Sequence, residues 1–112
     1  MSIPFTHQSL ANTFPKEDLR IYKYTFGYID RGILTATISG PAFIDILDIQ
    51  EQGDTLVCWA VVDAAAQNQE HTIQLYSAYT GDPPPGREYV YLKTIQSKFD
   101  GLVYHIYIKW DD

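Results

Sequence analysis

From Leu19 onward, apolar and polar residues alternate in short runs with a period of two, the signature of strands that cover one face. In residues 20–27, Tyr22, Tyr24 and Phe26 alternate with Lys23 and Thr25. Asp30-Arg31-Gly32 predicts a turn, residues 33–38 a second strand, and Gly40-Pro41 the next break. Residues 42–51 read as a third strand, followed by a two-residue hairpin at Gly53-Asp54 with glycine in the first turn position. The fourth strand, 55–62, is apolar at every position after Thr55. It is therefore expected at the centre of a sheet, covered on both sides, with Trp59 in the core. Asp63 to Ala66 predicts one helical turn capped by Asp63. Strands at 70–78, 88–96 and 102–110 follow, with Ile73 and Leu75 inward in the first of these and Tyr104, Ile106, Ile108 and Trp110 sharing a face of the last.

Seven short strands joined by tight turns predict an all-β single domain, an antiparallel sandwich or a partly open barrel. Residues 1–19 lack the alternation and read as an irregular N-terminal arm, with one helical turn near 7–13 and with Phe5 and Phe14 as anchors; the β domain runs from 20 to 112. Between the fifth and sixth strands lies Tyr79-Thr80-Gly81-Asp82-Pro83-Pro84-Pro85-Gly86-Arg87. Three consecutive prolines exclude regular structure and favour an extended polyproline segment, expected as a stiff connector crossing the end of the sandwich. Its glycines and the terminal Arg87 also suit it to offer amides and a guanidinium to a phosphate.

A chain of 112 residues has room for one core and folds without disulfides. The single cysteine, Cys58, sits in an apolar run and fits a reducing compartment. The first residues carry no secretory pattern and no apolar run approaches the ~20 residues of a membrane helix, so a cytoplasmic protein without a membrane partner is expected. Net charge is −6, and from Gly32 to Gly86 there are seven acids and no Lys or Arg. Such a middle repels phosphate backbones and argues against nucleic acid as partner. It is suited either to a basic protein surface or simply to solvent. An open sheet has edges to cover and few lysines stand on them here, so a homo-oligomer is expected, a dimer foremost.

The residues that carry catalysis elsewhere are dispersed. His7, His71 and His105 stand in no metal-ligand spacing, Cys58 is embedded in a core strand, and no serine lies in a nucleophile-elbow context. Asp45 and Asp48 are expected on opposite faces of one strand. No phosphate-binding or dinucleotide fingerprint occurs. The expectation is a non-enzymatic protein with no cofactor and no metal. What remains are binding elements: a load of nine tyrosines, including Tyr89 and Tyr91, and the loop Tyr79, Thr80, Gly81 to Arg87. Arg31, His105 and the acids Asp45 and Asp48 complete the candidate binding residues.

The order Lys23-Tyr24-Thr25, Asp30-Arg31, Ile46-Leu47-Asp48-Ile49-Gln50, Cys58-Trp59-Ala60-Val61-Val62-Asp63, Gly81-Asp82-Pro83 and Gly101-Leu102-Val103-Tyr104-His105-Ile106-Tyr107 resembles a family of small uncharacterised proteins frequent in bacteriophages and prophages. The likeness covers about residues 20–108; the arm looks like an addition, and residues 78–92 are richer in proline and tyrosine than the family pattern. The resemblance implies a setting, not a site: a phage accessory protein acting in the host cytoplasm. Three roles are open on this reading. The first is a binder that neutralises a host defence protein. The second is an oligomeric sponge for a cyclic or ADP-ribose-type nucleotide, stacking the base on tyrosines and holding phosphate with Arg31 or Arg87. The third is a minor virion component.

Overall fold

Residues 18–111 are described by the computed structural model, and among them every regular element is a strand. The expected arm, but for its last two residues, lies outside them. Seven strands form: β1 (Leu19–Tyr28), β2 (Gly32–Gly40), β3 (Ala42–Gln52), β4 (Thr55–Asp63), β5 (Gln69–Ala78), β6 (Val90–Gln96) and β7 (Val103–Asp111). They build two antiparallel sheets, one of three strands in the order β1-β4-β3 and one of four in the order β2-β5-β7-β6. Period-two alternation gives each strand an inward set, and the two sets close on a single core. Phe26, Ile46, Ile49, Leu56, Cys58, Ala60 and Val62 come from the first sheet; Ile38, Ile73, Leu75, Ile95, Tyr104, Ile106 and Ile108 come from the second. The fold is thus a sandwich, not a barrel.

The turns follow the local chemistry. Gln52 pairs with Thr55 across Gly53, whose φ of +63° lies in the region glycine enters without a Cβ clash, while Asp54 keeps a negative φ. At the β2–β3 corner Gly40 leaves room for Tyr24, since a Cβ there would stand 2.6 Å from the Tyr24 hydroxyl oxygen and displace the ring. His71, fully buried on β5, ties this corner down: its Nε2 lies 2.9 Å from the Pro41 carbonyl oxygen and 3.2 Å from that of Gly40. Carbonyls only accept, so Nε2 carries a proton. The His71 ring also stacks on Phe43 at 4.4 Å. Asp63 caps a plain turn rather than a helical one, its carboxylate accepting from the Ala65 amide at 3.1 Å.

Two expectations on the first sheet are corrected. Trp59 is half-buried, not core: β4 is central, but Val57, Trp59 and Val61 face away from the other sheet, with Lys23 and Asp48 in register beside Trp59. Asp45 and Asp48 share this outer face instead of facing opposite ways. The pairing of β3 shifts between Phe43 and Asp45 and again between Ile46 and Asp48, and each extra residue reverses the alternation.

The two long sides of the sandwich differ. Along one, β3 lies beside β6 and the sheets are laced together: Lys93 donates to Asp48 at 3.0 Å, and Glu51 accepts from the Ser97 hydroxyl and, at 2.7 Å, from the Lys98 amide. Burial works against the Asp48 charge, but hydrogen bonds from Gln50, Lys93 and the Ile49 amide outweigh it and hold the carboxyl below its ordinary range. Along the other side β1 lies beside β2, with Leu34 packed 3.7 Å from the Cβ position of Gly27.

The split between the two faces of the first sheet sets the cost of truncation. Ile73→Ala, which empties a fully buried position, should cost about 2–5 kcal/mol in urea unfolding. Trp59→Ala should cost about 1–3 kcal/mol, because only part of the ring's burial is lost. Equal costs for the two would place Trp59 back in the core. Cys58 is fully buried, and burial pushes its thiol up to about 12. Native protein should therefore resist thiol alkylation at neutral pH and react at one site per chain once unfolded; rapid native labelling would contradict this.

Candidate binding face on the four-stranded sheet

The outer face of the four-stranded sheet carries a transverse row of large side chains. Ile33 on β2 is in register with Tyr76 on β5, Tyr76 with Tyr107 on β7, and Tyr107 with Tyr91 on β6. Ring centroids are 6.4 Å apart for Tyr76 and Tyr107 and 5.5 Å for Tyr107 and Tyr91, both edge-to-face. This geometry suits the ring quadrupoles and stiffens the row. Tyr89 joins from the turn before β6, its ring 6.0 Å from Tyr76, its hydroxyl donating to Gln74 at 2.8 Å, and Lys109 Nζ 5.3 Å from its ring centre.

Strand order explains what lies over this row. β7 is inserted between β5 and β6, which run parallel to one another. The chain leaves β5 beside His105, near the start of β7, and enters β6 opposite Ile108, farther along it. Residues 79–89 must therefore travel back across the sheet. They form a strap over the outer face, not a connector around the end. Prolines suit that route, since they bring no amide that would need a partner above a tyrosine surface. The Tyr76 hydroxyl reaches the Pro83 carbonyl at 3.4 Å.

Both ends of the strap are anchored. At the first, Arg31 makes a two-pronged ion pair with Asp82 (2.9 and 2.7 Å), and its guanidinium carbon lies 5.0 Å from the Tyr79 ring centre. The Asp82 carboxylate also accepts from the Tyr79 amide at 2.8 Å, while the Asp82 amide donates to the Tyr79 carbonyl at 3.0 Å. The Tyr79 amide above all, then the Arg31 guanidinium, hold the Asp82 carboxyl below its ordinary range. Gly81, at φ +100°, makes this turn possible. Below it Thr80 Oγ1 lies 2.8 Å from His105 Nε2, whose Nδ1 lies 3.0 Å from Thr94 Oγ1, itself 2.7 Å from the Tyr91 hydroxyl. At the far end the Tyr89 amide donates to the Gly86 carbonyl at 3.1 Å. A shallow pocket of about 250 Å³ remains between strap and sheet, lined by Tyr79, Thr80, Asp82, Pro84, His105 and Tyr107.

The structure thus brings together Arg31, Thr80, Gly81, Tyr89, Tyr91 and His105 from the candidate residues at the strapped sheet face, while the Tyr79 ring turns inward and packs edge-to-face on the core residue Tyr104 at 5.4 Å. Arg87 is exposed on the strap. Asp45 and Asp48 lie on the other sheet, Asp45 only 6% exposed and Asp48 paired with Lys93, so they do not form a common acidic patch with the tyrosines. Tyr89 precedes β6 instead of belonging to it. Ile33, Tyr76, Tyr107 and Asp82 belong to the face and were not among the candidate residues. For Tyr76 the signal was present, because it shares strand parity with Thr72 and Gln74 and opposes Ile73 and Leu75. For Asp82 there was none, since its partner stands 51 residues away.

What fold and face define is a two-sheet antiparallel sandwich with a proline strap across a tyrosine face. By sequence the chain belongs to a family described as Domain of unknown function (DUF7352), whose model matches residues 18–112. No curated protein and no solved structure matches the chain.

The Asp82 anchor should be visible in acid. Its carboxyl titrates lower in the folded state than the ordinary 3.8. The stabilisation it provides is therefore complete above pH 3.8 and is lost as pH falls through the lower folded value. Asp82→Asn should lower stability at about pH 7 and approach the wild type in strong acid. An unchanged gap between the two unfolding curves across that range would show that the anchor contributes nothing.

Proposed function

We propose that this is a non-enzymatic binding protein that docks onto a partner protein through the strapped tyrosine face. The observation that carries the reading is the row Ile33–Tyr76–Tyr107–Tyr91, continuous across all four strands and open at both ends, with Ile33 62% and Tyr91 47% exposed. Stiff, amphipathic aromatic rings held in place before contact lose little freedom on binding, which is why tyrosines recur as interface anchors. A nucleotide sponge is less well supported. Arg31, the cation nearest the pocket, is already neutralised by Asp82, and a phosphate placed there meets that carboxylate. In the phage and prophage setting implied by the resemblance, the partner is a host component, foremost a defence protein, which the docked domain blocks.

Tyr91→Ala and Tyr91→Asp test this at the β6 end, where the side chain is exposed and neither change should disturb folding. Wild type and variants, matched in thermal midpoint, are used to capture partners from host extract, and the enriched protein is purified and titrated. The reading expects a partner whose affinity falls roughly tenfold or more in both variants, about 1.4 kcal/mol or above. Equal affinity for wild type and variants overturns the face. A nucleotide released from the denatured wild type, with no protein partner, favours the sponge.

A further inference from the structure

The two sheets leave four edge strands, β1, β3, β6 and β2. Three of them carry the devices that keep a sheet edge from adding another strand. β1 has Arg20 and Lys23 and a register shift between Thr25 and Gly27. β3 has Asp45, Asp48 and Glu51 and two register shifts. β6 has Lys93 and a shift between Tyr91 and Lys93, and Lys93 ties it to β3. β2 has none of these. Its nine residues, Gly-Ile-Leu-Thr-Ala-Thr-Ile-Ser-Gly, hold no charge and no proline, and they pair with β5 without interruption from Gly32 to Gly40. Among the described residues no strand adjoins its other edge.

We propose that β2 is a self-association edge, and that a second copy of this chain adds its own β2 antiparallel about a two-fold axis to make one eight-stranded sheet. Among the four edges, β2 is the one that admits a copy of itself. Each chain carries −6 overall, and β2 is the edge along which two such chains meet without opposing like charges. Parity then restricts the register, because paired residues must share a face. Centred on Thr35, the pairing sets Thr35 against its counterpart and Ile33 against Thr37 on the outer face. On the core face it sets Leu34 against Ala36, large against small. Thr35 against Thr35 is a pair that stabilises adjacent strands, and Ile33 against Thr37 sets two β-branched side chains together. The two tyrosine rows then lie on one continuous surface, which doubles the docking face. The association does not depend on that face: a chain that dimerises and binds no partner would refute the docking reading and leave this one standing.

Sedimentation of the full chain at tens of micromolar, at low and high salt, reads the association directly. The wild type should be a dimer that tightens with added salt as repulsion between the two acidic chains is screened. Thr35→Lys, an exposed position, places like charges at the symmetry axis and should weaken the dimer roughly tenfold or more, with the thermal midpoint of the separated chain unchanged. Thr35→Cys gives a second, independent readout: Cys58 is buried, so mild oxidation should yield one disulfide-linked dimer through position 35. A wild type that is monomeric throughout overturns the proposal. So does a dimer unaffected by Thr35→Lys and not cross-linked through Thr35→Cys. Protection from hydrogen exchange of the β2 amides that point away from β5, in a strictly monomeric chain, would mean that residues 1–17 of the same chain occupy the edge, which also overturns it.

Discussion

Placing β7 between β5 and β6 is the constraint on which the strapped tyrosine surface depends. Two parallel neighbours of a central strand cannot be joined by a tight hairpin, so the chain must cross one face of the sheet. In many folds a helix makes that crossing and buries the face beneath it. Here residues 79–89 make it with prolines, covering part of the face and leaving the tyrosine row accessible at both margins. Everything distinctive about the surface follows: the Arg31–Asp82 ion pair that starts the strap, the Thr80–His105–Thr94–Tyr91 chain under it, and Tyr89 clamped between Tyr76 and Lys109 at its end.

Among the described residues, both histidines and the cysteine take structural places in this scheme. His71 bonds the β2–β3 corner and His105 bridges two threonines. Cys58 lies in the core between the sheets. The surface groups left to meet another molecule are mainly rings, hydroxyls and prolines, with Arg87 at the margin. Such a surface is suited to contact by shape and by aromatic rings.

Strand positions were legible in the sequence because alternation and turn chemistry are local. Gly53-Asp54 and Asp100-Gly101 each mark a hairpin, and the inward set Tyr104, Ile106, Ile108 is visible by eye. Most predicted strand boundaries lie within one residue of the observed ones. What was not legible is what depends on residues far apart in the chain. A bulge adds one residue and reverses the alternation beyond it, which is how Asp45 and Asp48 came to share a face. Strand order is likewise silent in a periodic pattern, so the loop from Tyr79 to Arg87 was placed around the end of the sandwich and not across it. Trp59 was misplaced for a related reason: an unbroken apolar strand shows that both faces are covered to some degree, not that both sheets share it. The candidate residues around the strap were nevertheless found, because turn glycines, prolines and tyrosines concentrate there in sequence as well as in space.

The order of strands also governs how the chain reaches this state. Only β3–β4 and β6–β7 join neighbours through short turns; β1 must find β4, and β2 must find β5, across long intervening segments. Such non-local pairings place folding among the slower small domains, on the scale of milliseconds to seconds. The two hairpins can form early, while β2 waits for β5 to be synthesised and positioned. During that interval an uncharged, β-branched strand is exposed along both edges, in a cell where other copies are being made. The feature proposed to join two finished chains therefore also leaves the unfinished chain prone to premature pairing, so the yield of folded protein should depend on how fast β5 arrives.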